Sequence, residues 1–196
     1  MFQIRIHGRG GQGVVTAAEM LSVAAFIEGH HAQAFPSFGS ERTGAPVVAY
    51  CRIDDREIRL REPILEPDAI IIQDPTLLNQ VDVFGGLRRE GFVLINTSRT
   101  FEALGLGEFA AQFPPRHVCT VPATEIALKL IGRPLPNAAL LGGFAAATGR
   151  ITLESVSAAI REKFSGRVAE GNVAAAAESF AHVRREKEEL DHAQAD

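Results

Sequence analysis

The sequence contains little cysteine and no long apolar run. Its only two cysteines, Cys51 and Cys119, stand far apart, which excludes a CxxC pair of zinc or iron–sulfur ligands and allows at most one disulfide. No apolar stretch reaches the roughly 18 residues of a membrane span, and the segment 1–5 does not begin a signal peptide. We therefore expect a cytoplasmic chain without a membrane segment and without a metal cluster of its own.

An excess of charge of one sign is also absent. The net charge is −4, and both signs are spread along the chain, so there is no basic patch of the kind that neutralises nucleic-acid phosphates. A length of 196 residues with 46% apolar content suits one globular domain. We place that domain at residues 1–183 and predict a charged, solvated tail at 184–196.

The usual signatures of an autonomous catalyst are missing. There is no GxSxG elbow, and neither cysteine lies in a recognisable nucleophile setting. His30 and His31 are adjacent, whereas paired helical zinc ligands are four residues apart, and no acidic or cysteine cluster surrounds them. The sequence therefore predicts no catalytic residue and no metal ligand.

The pattern that is present alternates strands with helices. Alternation over 2–7 predicts a strand with one buried face, a glycine loop follows, and helical spacing begins at Val14 and closes near Gly29. Short apolar runs predict further strands at 68–74, 92–96 and 117–121, with a short helix begun by Asp74-Pro75. Further helices are predicted at 123–131, from 137 to Gly149, at 153–164 and at 173–190.

Two segments fall outside this alternation. Residues 30–43 contain too many breakers for a helix and are predicted to form a long loop. Residues 47–53 and 57–60 resemble a β-hairpin about Asp54-Asp55. The predicted fold class is therefore α/β, a Rossmann-like, mostly parallel sheet with a β-hairpin insertion and an α-rich C-terminal third.

The first candidate site is the loop Gly8-x-Gly10-x-x-Gly13, which matches the dinucleotide fingerprint. Side-chain-free residues let backbone N–H groups and a helix N-terminus approach a phosphate. The fingerprint also expects an acidic residue about 20 positions on, at the end of the second strand. Glu28 lies at that distance but falls at the end of the first helix, so independent NAD binding lacks its second support. A tight turn that contacts a neighbouring subunit is the alternative.

The second candidate site is the segment 38–44. Ser40, Glu41, Arg42 and Thr43 place two hydroxyls, a carboxylate and a fork-shaped cation beside glycines. This combination is suited to holding phosphate or carboxylate oxygens. A solvated surface loop with a local Glu41 to Arg42 pair is the alternative.

Three segments together resemble one family. They are residues 9–19 (RGGQGVVTAAE), 32–47 (AQAFPSFGSERTGAPV) and 137–142 (NAALLG). The chain is similar to the gamma subunit of pyruvate:ferredoxin oxidoreductase and related 2-oxoacid:acceptor oxidoreductases, and the similarity runs from Ile4 to about Phe180. The resemblance implies a multisubunit, thiamine diphosphate-dependent enzyme that oxidatively decarboxylates a 2-oxoacid, forms an acyl-coenzyme A and passes electrons on to ferredoxin or NAD.

The resemblance also implies a division of labour. Alpha and beta subunits hold thiamine diphosphate and Mg, and a ferredoxin-like delta subunit holds the [4Fe-4S] clusters, with an additional flavoprotein subunit where NAD is the acceptor. This chain shows no GDG…N thiamine motif and is expected to bind no cofactor alone, while sharing coenzyme A with its partners. The expected coenzyme A-binding residues are Gly8, Arg9, Gly10, Gly11, Gln12, Gly13, Ser40, Glu41, Arg42 and Thr43.

The resemblance leaves the substrate open. The chain lacks the VGxGGQG start and the SEVHGMSQRGG-like loop typical of indolepyruvate enzymes, which favours the pyruvate-like type. Arylglyoxylate (phenylglyoxylate), 2-oxoglutarate and branched-chain 2-oxoacid enzymes share the same gamma pattern. A stand-alone nucleotide-binding regulator and a purely structural scaffold subunit remain the alternative functions.

Overall fold

The computed structural model of this chain describes residues 1–37 and 42–195, with side chains described as far as residue 191. Its described strands form a six-stranded sheet in the order β2-β3-β1-β4-β5-β6. The strands are β1 (Phe2–Arg9), β2 (His31–Pro36), β3 (Pro46–Asp54), β4 (Ala69–Ile72), β5 (Phe92–Asn96) and β6 (Val118–Val121). The helices are α1 (Val14–Ile27), α2 (Gly107–Ala110), α3 (Ala123–Ile131), α4 (Asn137–Thr148), α5 (Leu153–Lys163) and α6 (Gly166–Ala195).

The strand directions confirm the predicted fold class. The pairs β1–β4, β4–β5 and β5–β6 are parallel, whereas β3 pairs antiparallel with both β1 and β2. Every residue of β4 and β6 is buried, as expected for strands covered on both faces. A large core cluster containing residues of α1, α4, α5 and α6 covers one face, and a smaller cluster containing Leu77, Val83 and Phe101 covers the other face of the parallel strands.

The first strand is buried more deeply than its alternation predicts. Ile4 and Ile6 face the large core, but Arg5 and His7 on the opposite face are also only 9% and 5% exposed. The Arg5 guanidinium donates to the carbonyls of Val83 at 3.0 Å and Gly85 at 2.7 Å. Burial, together with the charge of Arg5, lowers the pKa of His7 to about 4. The prediction of one buried face was therefore wrong, because the side chain of Arg5 binds the loop at residues 83–85 over the second face.

Two local predictions were also wrong. The part of the predicted loop that covers His31–Pro36 is an edge strand, paired with β3. Residues 57–60 do not form the second arm of a hairpin. They leave the sheet, and the Leu60 carbonyl accepts a hydrogen bond from the side chain of Gln33 at 2.8 Å. The antiparallel pair in the insertion is therefore β2 with β3. The partner of β3 precedes it in the chain, whereas the predicted partner, residues 57–60, follows it.

The helices begin and end close to the predicted positions. Thr152 caps α5 by accepting a hydrogen bond from the Ser155 N–H at 3.1 Å, and Gly149 ends α4 with a φ of 63°. The last helix differs, since it begins at Gly166 and continues to Ala195. The segment predicted as a charged tail is thus helical to that residue, and Lys187 within it donates to two carbonyls at the end of α4. No helix in the described part of the chain is long and apolar enough to cross a membrane.

Candidate functional site

The glycine loop follows the carboxyl end of β1 and leads directly into α1. A side chain on Gly8 would collide with Val14, since its Cβ would lie 2.5 Å from the Cγ2 of that residue. Gly13 has a φ of 71° and packs against Asn137, whose Nδ2 would lie 2.6 Å from an added Cβ. No side chain among the described residues caps the N-terminus of α1. The loop therefore brings backbone close to an uncapped helix end, the geometry that favours anions.

The structure brings part of the second candidate segment against this loop. Gly10 forms an isolated parallel bridge with Thr43, its N–H donates to the Ala45 carbonyl at 2.9 Å, and its carbonyl accepts from the Gly44 N–H at 3.0 Å. Only glycine fits at position 10, because a Cβ there would overlap the Arg42 carbonyl. Arg42 and Thr43 are exposed beside the loop. Ser40 and Glu41, the other two predicted site residues, lie outside the described residues.

The side chain of Arg9 is directed into the protein rather than outward. Its guanidinium donates to the Gly44 carbonyl at 3.0 Å, to Thr76 Oγ1 at 2.8 Å and to Gln80 Oε1 at 2.9 Å. Its Nε also lies 3.2 Å from Asp74 Oδ2. Through these partners, Arg9 connects the glycine loop to Gly44 on one side and to the segment 74–80 on the other.

Gln12 is engaged in the same way. Its Oε1 accepts from the Arg9 N–H at 2.8 Å, and its Nε2 donates to Asp74 Oδ2 at 2.7 Å. The Gln12 carbonyl accepts from the side-chain amide of Gln73. Arg9 and Gln12, which were predicted to bind ligand, thus have internal partners, and the loop residue most open to solvent is Gly11.

Three amide side chains that the sequence did not single out lie beneath the loop. Gln73 follows β4, Asn96 ends β5, and Asn137 begins α4. All three residues are buried. Asn96 donates to the Gln73 carbonyl and to Thr124 Oγ1, each at 2.8 Å. Gln73 Oε1 is buried without a hydrogen-bond partner in the described part of the chain. For Gln73 and Asn96 the signal available in the sequence was a polar residue at the carboxyl end of a buried apolar run, where the ends of parallel strands meet.

Glu28 lies at the opposite edge of the sheet, near Met1 and Phe2. Its carboxylate accepts from the Thr152 N–H and from Thr152 Oγ1 at 2.8 Å. Burial raises its pKa, but the hydrogen bonds from Ser155 and Thr152 outweigh burial, so the pKa is lowered. Glu28 therefore supports the start of α5 and is remote from the glycine loop, so it does not serve as the ribose-binding acid of the fingerprint.

The chemistry open to this site is binding of an anion. Neither cysteine is poised as a nucleophile, because both are buried, and burial raises the pKa of the Cys119 thiol to about 12. At the loop, the exposed backbone of Gly11 lies next to the N-terminus of α1, and the backbone of the exposed residue Arg42 packs against Gly10. This arrangement suits a phosphate group approached from outside the protein.

A family model and individual known proteins both match this chain. Residues 3–182 match the family model described as pyruvate ferredoxin/flavodoxin oxidoreductase. The chain is 49% identical over 180 residues to the pyruvate/ketoisovalerate oxidoreductases common subunit gamma of Pyrococcus abyssi, covering 92% of this chain and 96% of that protein. It is 53% identical over 161 residues to the pyruvate synthase subunit PorC of Methanosarcina barkeri, covering 82% and 85% respectively.

A solved structure shares the fold at lower identity. The crystal structure of pyruvate oxidoreductase subunit PORC from Thermotoga maritima superposes with a TM-score of 0.77 at 36% identity, covering 92% of this chain and 95% of that one. The match extends over nearly the full length of both chains.

Proposed function

The chain belongs to the pyruvate ferredoxin/flavodoxin oxidoreductase family, and from this we propose that it is the gamma subunit of a thiamine diphosphate-dependent 2-oxoacid oxidoreductase. The relatives that support this proposal are themselves a common gamma subunit and a PorC subunit. Pyruvate is the proposed substrate and ferredoxin the proposed electron acceptor. The products are an acyl-coenzyme A and carbon dioxide.

In the proposed complex this subunit holds neither the thiamine cofactor nor the clusters. A [4Fe-4S] cluster needs four ligands, usually thiolates, whereas this chain has two cysteines, both buried. Thiamine diphosphate with Mg is assigned to alpha and beta subunits, and the clusters to a ferredoxin-like delta subunit. Thiamine diphosphate supplies the stabilised carbanion needed for decarboxylation, so the part left to this chain is binding and positioning.

The proposed ligand of this chain is coenzyme A, shared with the neighbouring subunits. The observation that carries this assignment is the bridge between Gly10 and Thr43, which places an exposed arginine beside a glycine loop and a helix N-terminus. Coenzyme A carries several phosphate oxygens, and both features attract them. The loop 8–13 and the segment 40–43 are proposed to receive these phosphates or to line the entrance beside the thiamine site.

The decisive experiment is steady-state kinetics of the assembled complex carrying Arg42→Ala. Loss of one charge-assisted contact to phosphate should raise the KM for coenzyme A by about tenfold, with kcat unchanged. Arg59→Ala is the matched control, because the side chain of Arg59 is also exposed and its described partner is the nearby Glu57. An unchanged KM for coenzyme A in Arg42→Ala would show that this residue does not contact the ligand.

The composition of the native complex tests the larger assignment. Purification of this chain from its source should yield a thiamine subunit pair and an iron–sulfur protein. Assay of that complex on pyruvate, phenylglyoxylate and 2-oxoglutarate should show preference for pyruvate. Purification as a lone chain that binds NAD or ATP tightly in calorimetry would instead favour a nucleotide-binding regulator. A complex whose kinetics withstand every loop substitution would favour a scaffold.

A further inference from the structure

The crevice between the carboxyl ends of β1 and β4 is bridged by side chains. In open α/β sheets ligands bind where neighbouring strands connect to opposite faces. Here β1 leads into α1, which packs in the large core, whereas β4 leads into the 3-10 helix Pro75–Asn79, whose Leu77 packs in the smaller cluster on the other face. Asp74 lies between the two connections.

We infer that Asp74 is a positioning residue for the proposed coenzyme A site, acting as a clamp that fixes the glycine loop. This inference rests on the proposed function. The Asp74 carboxylate accepts from Gln12 Nε2 at 2.7 Å and lies 3.2 Å from Arg9 Nε. Gln12 in turn accepts from the backbone N–H of Arg9 at 2.8 Å. One carboxylate therefore sets the position of the loop backbone through two side chains.

A carboxylate is the group that this position requires. Oδ2 meets donors from Arg9 and Gln12, while Oδ1 accepts from the Thr76 N–H at 2.9 Å and from Thr76 Oγ1 at 2.6 Å. Burial raises the pKa of Asp74, but the bonds from Thr76 and Gln12 and the charge of Arg9 outweigh burial and lower it. Asp74 is thus ionised at neutral pH. The side chains of Arg9 and Asp74 are only 19% and 14% exposed, so solvent screens this pair less than an ordinary surface ion pair.

The clamp acts through the shape of the loop. Because the side chains of Arg9 and Gln12 bond internally, the ligand contact falls to the exposed backbone around Gly11. Preorganised donors bind more tightly than donors that must first be ordered. Loss of the clamp should therefore weaken binding of coenzyme A and leave the chemical step, which takes place on another subunit, unchanged.

The first test compares Asp74→Ser with the wild type in the assembled complex. Serine keeps an N-cap acceptor for the Thr76 N–H but is too short to reach Gln12 and Arg9. The KM for coenzyme A should rise about tenfold, while kcat and the KM for pyruvate stay unchanged. Glu28→Ala is the matched control, because it removes a carboxylate that also accepts from a backbone N–H and a hydroxyl, at the opposite edge of the sheet.

A reciprocal exchange separates positioning from general destabilisation. Asp74→Asn brings an amide donor against the donor Nε2 of Gln12, so the KM for coenzyme A should rise. Adding Gln12→Glu reverses the polarity of the pair, since the new carboxylate accepts from the new amide and from the Arg9 N–H. The double variant should return the KM toward the wild-type value. Failure of the double variant to improve on Asp74→Asn would overturn the clamp.

Gly11→Ala distinguishes failure of the clamp from failure of the proposed site. Its Cβ would lie 3.8 Å from Thr43 Cγ2, so the chain has room for it, but alanine at a φ of +89° is strained and covers the exposed backbone. If Gly11→Ala and Arg42→Ala raise the KM for coenzyme A while the Asp74 variants do not, the clamp is wrong and the proposed function stands. If none raises it, the proposed coenzyme A site fails, and with it the clamp.

Amide hydrogen exchange tests the clamp without relying on activity. In the complex carrying Asp74→Ser, residues 9–14 should exchange faster than in the wild type, and Glu28→Ala should leave their exchange unchanged. Unaltered exchange over residues 9–14 in Asp74→Ser would overturn the clamp whatever the kinetics show.

Discussion

Replacement of Glu186 by glutamine is expected to stabilise the protein at pH 8 and to have no effect at pH 4. Glu186 lies on α6 against the edge strand β6, where its carboxylate accepts from the Thr120 N–H at 3.2 and 3.3 Å. Burial raises the pKa of Glu186 to about 7, against the opposing hydrogen bond from Thr120, and the charge of Glu189 adds to the rise. The ionised carboxylate of Glu186 is therefore less favourable in the folded protein than in the unfolded chain.

The sign of the pH dependence follows from the direction of this shift. Between the ordinary pKa of 4.5 and about 7, the folded state keeps a proton that the unfolded state has released. The free energy of unfolding therefore falls as pH rises through this window, and the cost is complete above about pH 7. A rise of this size corresponds to at most about 3.4 kcal/mol. Since Glu186 is partly exposed, solvent screening reduces the expected cost to about 1 to 2 kcal/mol.

Thermal unfolding of the isolated chain at several pH values measures this effect. Glutamine keeps a side-chain oxygen for the Thr120 N–H but carries no charge, so the melting temperature of Glu186→Gln should exceed that of the wild type by about 3 to 6 °C at pH 8. The difference should vanish at pH 4. Glu188→Gln is the control, because Glu188 is an exposed residue of the same helix paired with Arg184. A Glu186→Gln difference that is the same at both pH values would refute the argument.

Two further predictions concern packing. Gly142→Ala should destabilise the protein by about 2 to 3 kcal/mol in urea unfolding, because its Cβ would overlap the Ala176 backbone where α4 meets α6. The control is Gly143→Ala, next along the same helix, whose Cβ would face side chains no closer than 3.3 Å and which should change stability by less than about 1 kcal/mol. Equal losses of stability in the two variants would contradict the close contact at Gly142. Arg52→Met should lower the free energy of unfolding by about 2 to 4 kcal/mol, because Arg52 is 2% exposed and donates to two glutamine side chains and the Glu62 carbonyl. The control Arg59→Met replaces a surface arginine and should change stability little. Similar melting curves for the two variants would count against the role of Arg52.

The local pattern of the sequence was sufficient for the elements whose signals are local. Uninterrupted apolar runs predicted β4 and β5, because strands buried on both faces need apolar side chains at every position. The glycines that end α3 and α4, at Gly132 and Gly149, have the positive φ that closes a helix. The glycine loop was likewise visible, since its spacing reflects backbone geometry within one turn.

The edge strand β2 could not be predicted in this way. Its sequence, HAQAFP, is poor in β-branched residues, and it is a strand because it pairs with β3. The same holds for Arg5 and Arg52, which the sequence presents as the polar members of alternating strands. Their burial depends on carbonyls contributed by loops outside the sheet, which for Arg5 lie about 60 to 80 positions further along the chain.

For the candidate site as well, some features follow from the sequence and others only from the tertiary structure. By itself the sequence determined the glycine loop, the family resemblance and the absence of cluster ligands, because each is a property of residue identity and spacing. Only the tertiary structure decided that Arg42 and Thr43 lie against Gly10, that Glu28 is at the opposite edge of the sheet, and that Asp74 joins Arg9 to Gln12. The contacts of Asp74 with Arg9 and Gln12 depend on the parallel pairing of β1 with β4, which brings together residues that are more than 60 positions apart in the chain. The contact of Thr43 with Gly10 lies instead beside the antiparallel pair of β1 and β3.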